Sequence, residues 1–115
     1  MIPLISICIP TYNRASFLKD TLDSFVQEPV FLSTEKVEII ISDNCSEDNT
    51  AEIVFPYIQK FPQKIKYFKN KTNLKDKNFE LALSRGTGVF LKLHNDKAIL
   101  KEVLLWKNCL KHKNG

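Results

Sequence analysis

Residues 4–14, Leu4-Ile5-Ser6-Ile7-Cys8-Ile9-Pro10-Thr11-Tyr12-Asn13-Arg14, decide how the chain folds. The first six are mostly apolar, too few for a helix and barely alternating, which predicts a strand buried on both faces. Pro10 closes that run. Beyond the polar turn, Phe17, Leu18, Thr21, Leu22, Phe25 and Val26 recur at helical spacing, so an amphipathic helix is expected over about 14–27, ended by Pro29. A buried strand feeding a helix through a polar turn is half of a parallel α/β unit.

The pattern repeats along the chain. Val37-Glu38-Ile39-Ile40-Ile41 predicts a second buried strand, closed by Ser42-Asp43-Asn44-Cys45-Ser46. A helix is expected from about Asn49 to Lys60 with Ile53, Val54, Tyr57 and Ile58 inward, and Pro56 inside it predicts a kink or an early stop. Ile65-Lys66-Tyr67-Phe68 alternates enough for an edge strand. A helix over about 75–85 carries Phe79, Leu81, Ala82 and Leu83, with Gly86 and Gly88 at its end. Val89 to Leu93 is the fourth strand, and Leu100 to Lys111 a last amphipathic helix. The order βαβαβαβα predicts a mainly parallel four-stranded sheet with helices on both faces, a three-layer αβα domain.

At 115 residues the chain is one domain, residues 1–115, and its 43% hydrophobic content can build one core. The formal net charge of +4 suits an anionic small ligand or a membrane surface and is no argument for nucleic acid. Lysines 60, 64, 66, 69, 71, 75 and 77 read as a solvated edge more readily than as an anion patch. The three cysteines, Cys8, Cys45 and Cys109, have no close pair, which speaks against a disulfide framework and for a reducing compartment. MIPLISICIP is read as a strand and not a signal peptide, and no apolar run reaches bilayer length. The location expected is the cytoplasm, with the inner face of the membrane as a second address for the basic surface.

In open parallel sheets ligands lie beyond the carboxyl ends of the strands. Three of those ends are polar here: Pro10–Arg14, Ser42–Ser46 and His94-Asn95-Asp96. Tyr12 offers a flat face to a base. Thr11 and Asn13 sit beside a helix N-terminus, where Asn13 either caps the helix or meets a ligand. Asp43 either accepts from a base N–H or closes an Asx-turn. Ser46 and Asp48 are read as serving the next helix start. His94 and Asp96 are the candidate metal ligands, with a plain turn into the last helix as the competing reading. There is no G-x-G-x-x-G after strand one, no G-x-x-x-x-G-K-[ST] and no G-x-S-x-G.

Three segments, ISICIPTYNRASFLKDTLDSFVQ, VEIIISDNCSEDNTAEIV and NKTNLKDKNFELALSRGTGVFLKLHND, resemble in order the nucleotide-binding half of inverting GT-A glycosyltransferases of family 2. The resemblance spans about residues 4–105. It implies a Rossmann-like half of a GT-A fold with strand order 3-2-1-4, binding a nucleotide diphosphate sugar, UDP-linked, for transfer to a glycan or lipid-linked acceptor. Pro10, Thr11 and Tyr12 match the segment bordering the base, and Asp43 matches the acceptor of its N3–H. Lys77 and Asn78 match the region that reaches the nucleotide from the third crossover. His94-Asn95-Asp96 falls where the family places the D-x-D that holds Mn²⁺ or Mg²⁺ on the diphosphate, and only Asp96 is acidic. No residue matches the family's catalytic base, so the chain is expected to be a fragment or a truncated form lacking the acceptor half and to have little turnover alone. A non-catalytic nucleotide-binding module and a ligand-free remnant are the other readings, and a half domain is expected to show an apolar edge or to form a homodimer through it.

Overall fold

The computed structural model describes residues 2–99. Its elements run β1 (Ile5–Thr11), α1 (Ala15–Val26), α2 (Pro29–Ser33), β2 (Val37–Asp43), α3 (Thr50–Lys60), β3 (Ile65–Lys69), α4 (Lys77–Ser84) and β4 (Phe90–Leu93). The four strands are all parallel, in the order β3-β2-β1-β4 that the resemblance implies. The last helix expected from the sequence lies outside the described residues.

Alternation along β1 and β2 sorts the side chains between two layers of helix. Ile5, Ile7, Ile9, Val37, Ile39 and Ile41 form the main core with Leu18, Leu22 and Phe25 of α1, Phe31 of α2 and Val54 of α3. Burying each such side chain stabilises the fold by roughly 1.5–3 kcal/mol. The opposite face, under α4, has a small apolar cluster of Cys8, Ile40 and Ala82. Its other inward positions are Ser6, Glu38 and Ser42, all buried. Hydrogen bonds therefore hold much of that side together.

Glu38 is their centre. Its Oε2 accepts from the Ser6 hydroxyl at 2.5 Å and from the backbone N–H and hydroxyl of Thr87 at 2.8 Å, while its Oε1 accepts from Lys66 Nζ at 3.0 Å. The Gly88 N–H closes the group by donating to Ser6 Oγ at 2.8 Å. One carboxylate thus ties β2 to β1, to β3 and to the turn that launches β4. The turn must hug the sheet: a Cβ on Gly88 would stand 2.9 Å from the Ser6 backbone nitrogen, which explains glycine there.

Two proline readings need correction. Pro29 does not simply stop a helix. It sits at the first position of α2, where a missing N–H costs nothing, and α1 has already ended at Val26. Of the two outcomes expected at Pro56 the early stop does not occur, since α3 continues to Lys60. Pro56 and Glu52 are both exposed, so the carbonyl left without a donor faces water. Val54 is buried on the other side of the helix.

Among the described residues β4 forms one edge of the sheet and carries exposed Phe90, Leu91 and Leu93. Among the described residues no helix is long and apolar enough to cross a membrane.

Burial alone pushes the Glu38 carboxyl up, but the bonds from Ser6, Thr87 and Lys66 outweigh it and hold it below its ordinary value of 4.5. A lowered folded-state pKa contributes stability that is present above that ordinary value and is lost as the pH falls through the folded one. Glu38→Ala is expected to cost about 3 kcal/mol in urea unfolding at neutral pH, because Ser6 and Thr87 lose a buried charged acceptor. In Glu38→Gln the stability loss below pH 4.5 should become shallower, with Asp23 and Asp48, also held low, supplying the remainder. An unchanged acid limb in that variant would show that Glu38 is not its main source.

Candidate functional site

β1 and β2 end in step, with Thr11 opposite Asp43, and the last residue of β4, Leu93, stands opposite Cys8 of β1. The chain crosses from β3 to β4 over the other face of the sheet, so β1 lies at the switch point of the topology. A cavity of ≈ 430 Å³ opens there, lined by Pro10, Thr11, Tyr12 and Arg14 at and beyond the end of β1, Asn44 after β2, Lys75, Asn78 and Phe79 around the start of α4, and Leu93 to Asp96 at and beyond the end of β4. The three polar strand ends picked out in the sequence do meet on one rim.

The loops hold one another in place. Asn13 does not cap α1. Its Oδ1 accepts from the N–H groups of Glu47 and, longer, Asp48, and its own N–H donates to Ser46 Oγ at 2.9 Å. Asp48 meets the start of α1 instead, accepting from the Ala15 N–H at 3.1 Å, while its other oxygen takes the N–H and hydroxyl of Thr50 at the start of α3. The α1 cap thus comes from a residue far along the chain, beyond the reach of local pattern reading. Three non-glycine residues, Asn13, Cys45 and Lys75, have positive φ, one in each of the loops after β1, β2 and β3. Such backbone costs of order 1 kcal/mol per residue and persists where neighbours over-determine it.

Asp43 is fully buried and points to the α1 and α3 side with Ile39 and Ile41. Its Oδ1 accepts from the Ser46 N–H at 2.9 Å and its Oδ2 from the Tyr67 hydroxyl. The Asx-turn is therefore formed, and Asp43 does not line the cavity. Burial and Asp43 together push the Tyr67 hydroxyl pKa up, so Tyr67 stays a donor. The next residue, Asn44, faces the cavity in its place. Its Oδ1 accepts from Leu74 N–H at 2.8 Å and Asn70 Nδ2 at 3.1 Å, and its Nδ2 donates to Asn73 Oδ1 at 2.8 Å and to the Lys75 carbonyl. Asn44 thereby fixes the loop that presents Lys75.

Lys77 and Asn78 diverge. Lys77 is exposed outside the cavity, whereas Asn78 is buried and lines it. Asn78 donates to the Ser42 carbonyl at 2.9 Å and accepts from the Ser42 hydroxyl at 2.9 Å and from Asn70 Nδ2 at 3.0 Å, which fastens α4 to the end of β2. Cys45 bonds through Sγ to the Lys71 carbonyl. Cys8, buried beside Glu38, has a thiol pushed up to about 11 by desolvation and by that carboxylate, and is held as the inert thiol.

His94-Asn95-Asp96 both turns the chain and closes the cavity. Asn95 Oδ1 accepts from Lys97 N–H at 2.8 Å. His94 Nε2 lies 2.7 Å from the Ala98 carbonyl and its ring meets Phe25 edge-on at 5.0 Å. Asp96 is buried, with Oδ2 accepting from the Thr11 hydroxyl at 2.8 Å and Oδ1 from Arg14 Nη1 at 3.1 Å. Its carbonyl takes the Thr21 hydroxyl at 2.8 Å. As a donor set for a divalent cation these residues do not fit. Among the described residues Asp96 is the only carboxylate on the cavity wall, and its charge is already balanced by a guanidinium. No group of three His, Cys, Asp or Glu able to hold a metal occurs among the described residues.

Arg14, Asn44, Lys75, Phe79 and Leu93 are the wall residues that sequence reading left without a role. Arg14 ends the quoted P-T-Y-N-R segment, and strand alternation after Asp43 points at Asn44; these two carried a signal.

The family model for glycosyl transferase family 2 matches residues 6–104. Abequosyltransferase RfbV of Salmonella typhimurium is 37% identical over 103 residues, covering 88% of this chain and 30% of that protein. The poly(ribitol-phosphate) beta-N-acetylglucosaminyltransferase TarS of Staphylococcus aureus is 32% identical over 100 residues, 86% of this chain and 17% of TarS. TarS 1-349 in complex with UDP superposes with a TM-score of 0.77 at 23% identity, over 93% of this chain and 31% of that one. The mannosyltransferase PcManGT of Pyrobaculum calidifontis, in complex with GDP-Man and Mn²⁺, gives 0.74 at 21% identity, over 88% and 29%. At these identities the superpositions establish the fold, and the chain spans less than a third of the length of each of these relatives. The match to the family model over nearly the whole chain, on a sheet ordered 3-2-1-4 with its polar strand ends gathered at one cavity, makes this chain a member of glycosyl transferase family 2.

Proposed function

We propose that the cavity is the donor site for a nucleoside diphosphate sugar, with uridine as the base, in transfer to a glycan or lipid-linked acceptor. The observation that carries this reading is the composition of one ≈ 430 Å³ wall: an aromatic face, amides and two cations. Tyr12 is 39% exposed, so its ring is open to stack on a base. Asn44 and Asn78 hold the wall beside it through their bonds within the loops, and Arg14 and Lys75 supply positive charge to a diphosphate. Asp43 stands behind the wall and supports it, holding the Ser42–Ser46 loop through its bonds from Ser46 and Tyr67. TarS and PcManGT, with their UDP and GDP-Man, are similar folds whose ligands share this chemistry.

Sugar transfer needs a base to take the acceptor's hydroxyl proton while the bond to the diphosphate breaks. Asp96, the carboxylate on the cavity wall, is engaged as the partner of Thr11 and Arg14, and no base for that step is assigned to it. The residues gathered at the cavity are read as the donor-binding part of the site.

Calorimetric titration with UDP tests this reading. Saturable binding is expected, with an added stability of about 2.7 kcal/mol at a hundredfold excess over Kd. Tyr12→Ala should weaken it by about 1–3 kcal/mol, the usual worth of one base stacked on an aromatic ring. Absence of heat and of any shift in Tm with UDP, GDP and their sugar conjugates would remove the reading.

A further inference from the structure

We propose that Arg14 binds the donor's diphosphate directly, in the position where a divalent cation would otherwise act, and that donor binding by this chain is metal-independent. The proposal rests on the donor-site reading above and concerns how that site meets its anion.

Four observations converge on it. Arg14 and Lys75 are both on the cavity wall. The Arg14 side chain is 46% exposed while the carboxylate it touches, on Asp96, is 5% exposed. A guanidinium carries five N–H donors in a planar fork, so one bond to Asp96 leaves most of the fork open toward the cavity. Asp96 itself is held by Thr11 at the end of β1, by Arg14 and by Thr21 within α1, so it can orient the guanidinium as a fixed support.

The electrostatics favour the same answer. A buried carboxylate needs a positive partner, and Asp96 has one at 3.1 Å. A divalent ion at the same carboxylate would lie within a few ångströms of the guanidinium, and two positive centres at that distance repel strongly in a partly buried site. A diphosphate at the outer side of the fork meets the guanidinium first and the Asp96 charge from farther away, with Lys75 adding a second positive group on the same wall. Arginine matches paired phosphate oxygens with parallel charge-assisted bonds. Asp96 directs its oxygens at Thr11 and Arg14, so the guanidinium stands between its charge and an anion in the cavity. Lys75 adds a second positive group, held in a left-handed backbone by Asn73, which accepts from its N–H at 2.7 Å, and by Asn44. Asp96 is on this account a positioning residue for Arg14 and not a metal ligand.

The test uses the 115-residue chain and UDP, titrated in EDTA and again with Mn²⁺. Equal affinity within about twofold is expected, and it needs no variant to fold. Arg14→Gln should weaken UDP binding in EDTA by roughly 10–100-fold, the worth of a charge-assisted bond, while binding of uridine, which has no phosphate, stays unchanged. Arg14→Lys should recover part of the loss, since a point charge replaces the fork. UDP binding that disappears in EDTA and returns with Mn²⁺ would overturn the proposal and leave the donor site standing. Equal loss of UDP and uridine in Arg14→Gln would overturn it as well, by showing a general disturbance of the cavity. Failure of UDP to bind with and without Mn²⁺ would remove both the proposal and the donor site beneath it.

Discussion

The buried carboxylate of Glu38 is the constraint on which the placing of the site depends. A fully apolar sheet face would pack on α4 through area alone, but here that face has only Cys8, Ile40 and Ala82 as its apolar cluster. Orientation is supplied by direction-specific bonds. Glu38 accepts from Ser6, Thr87 and Lys66, and the two Thr87 bonds fix the turn before β4. With that turn fixed, β4 pairs with β1 from Ile5↔Phe90 to Cys8↔Leu93, and His94 to Asp96 emerge beside Thr11. A charge buried on the sheet's α4 face thus determines what the rim can look like. Desolvating it is costly, and the cost is offset because every one of these bonds is made to an ionised acceptor.

On the rim the logic is mutual support between loops. The loop after β1 is held by the loop after β2 through Asn13, Ser46 and Asp48, and the stretch leading to α4 is held by Asn44. Asn78 and Ser42 lock α4 to the strand end. Left-handed backbone at Asn13, Cys45 and Lys75 is the strain this network sustains.

Much of the fold was legible in the sequence because the signals were local. Two short, mostly apolar runs, 5–9 and 37–41, read as buried strands, and helix-length crossovers between strands implied a parallel sheet. The rim followed from topology. What stayed hidden was non-local or ambiguous. Glu38 looked like a lone charge in a strand, and its partners at positions 6, 66 and 87 are invisible to any window. Pro29 read as a stop because the same residue that ends one helix can open the next. The pairing of Arg14 with Asp96 spans almost the whole described chain, so the sequence offered Asp96 as a metal ligand while the fold surrounds it with Thr11 and Arg14. Asp43 and Asn44 differ by one residue and therefore by one face of the sheet, a distinction that family resemblance alone did not draw.

The claim that the strand ends after β1, β2 and β4 form one nucleotide site is tested most directly by mapping amide shifts in ¹H–¹⁵N spectra of the chain during a UDP titration. Perturbed amides are expected to cluster at Thr11 to Arg14, Asn44, Lys75 to Phe79 and His94 to Asp96, with the opposite end of the sheet around Leu4, Lys36 and Lys64 unmoved. Shifts centred on that opposite end, or on the exposed edge of β4 alone, would contradict it.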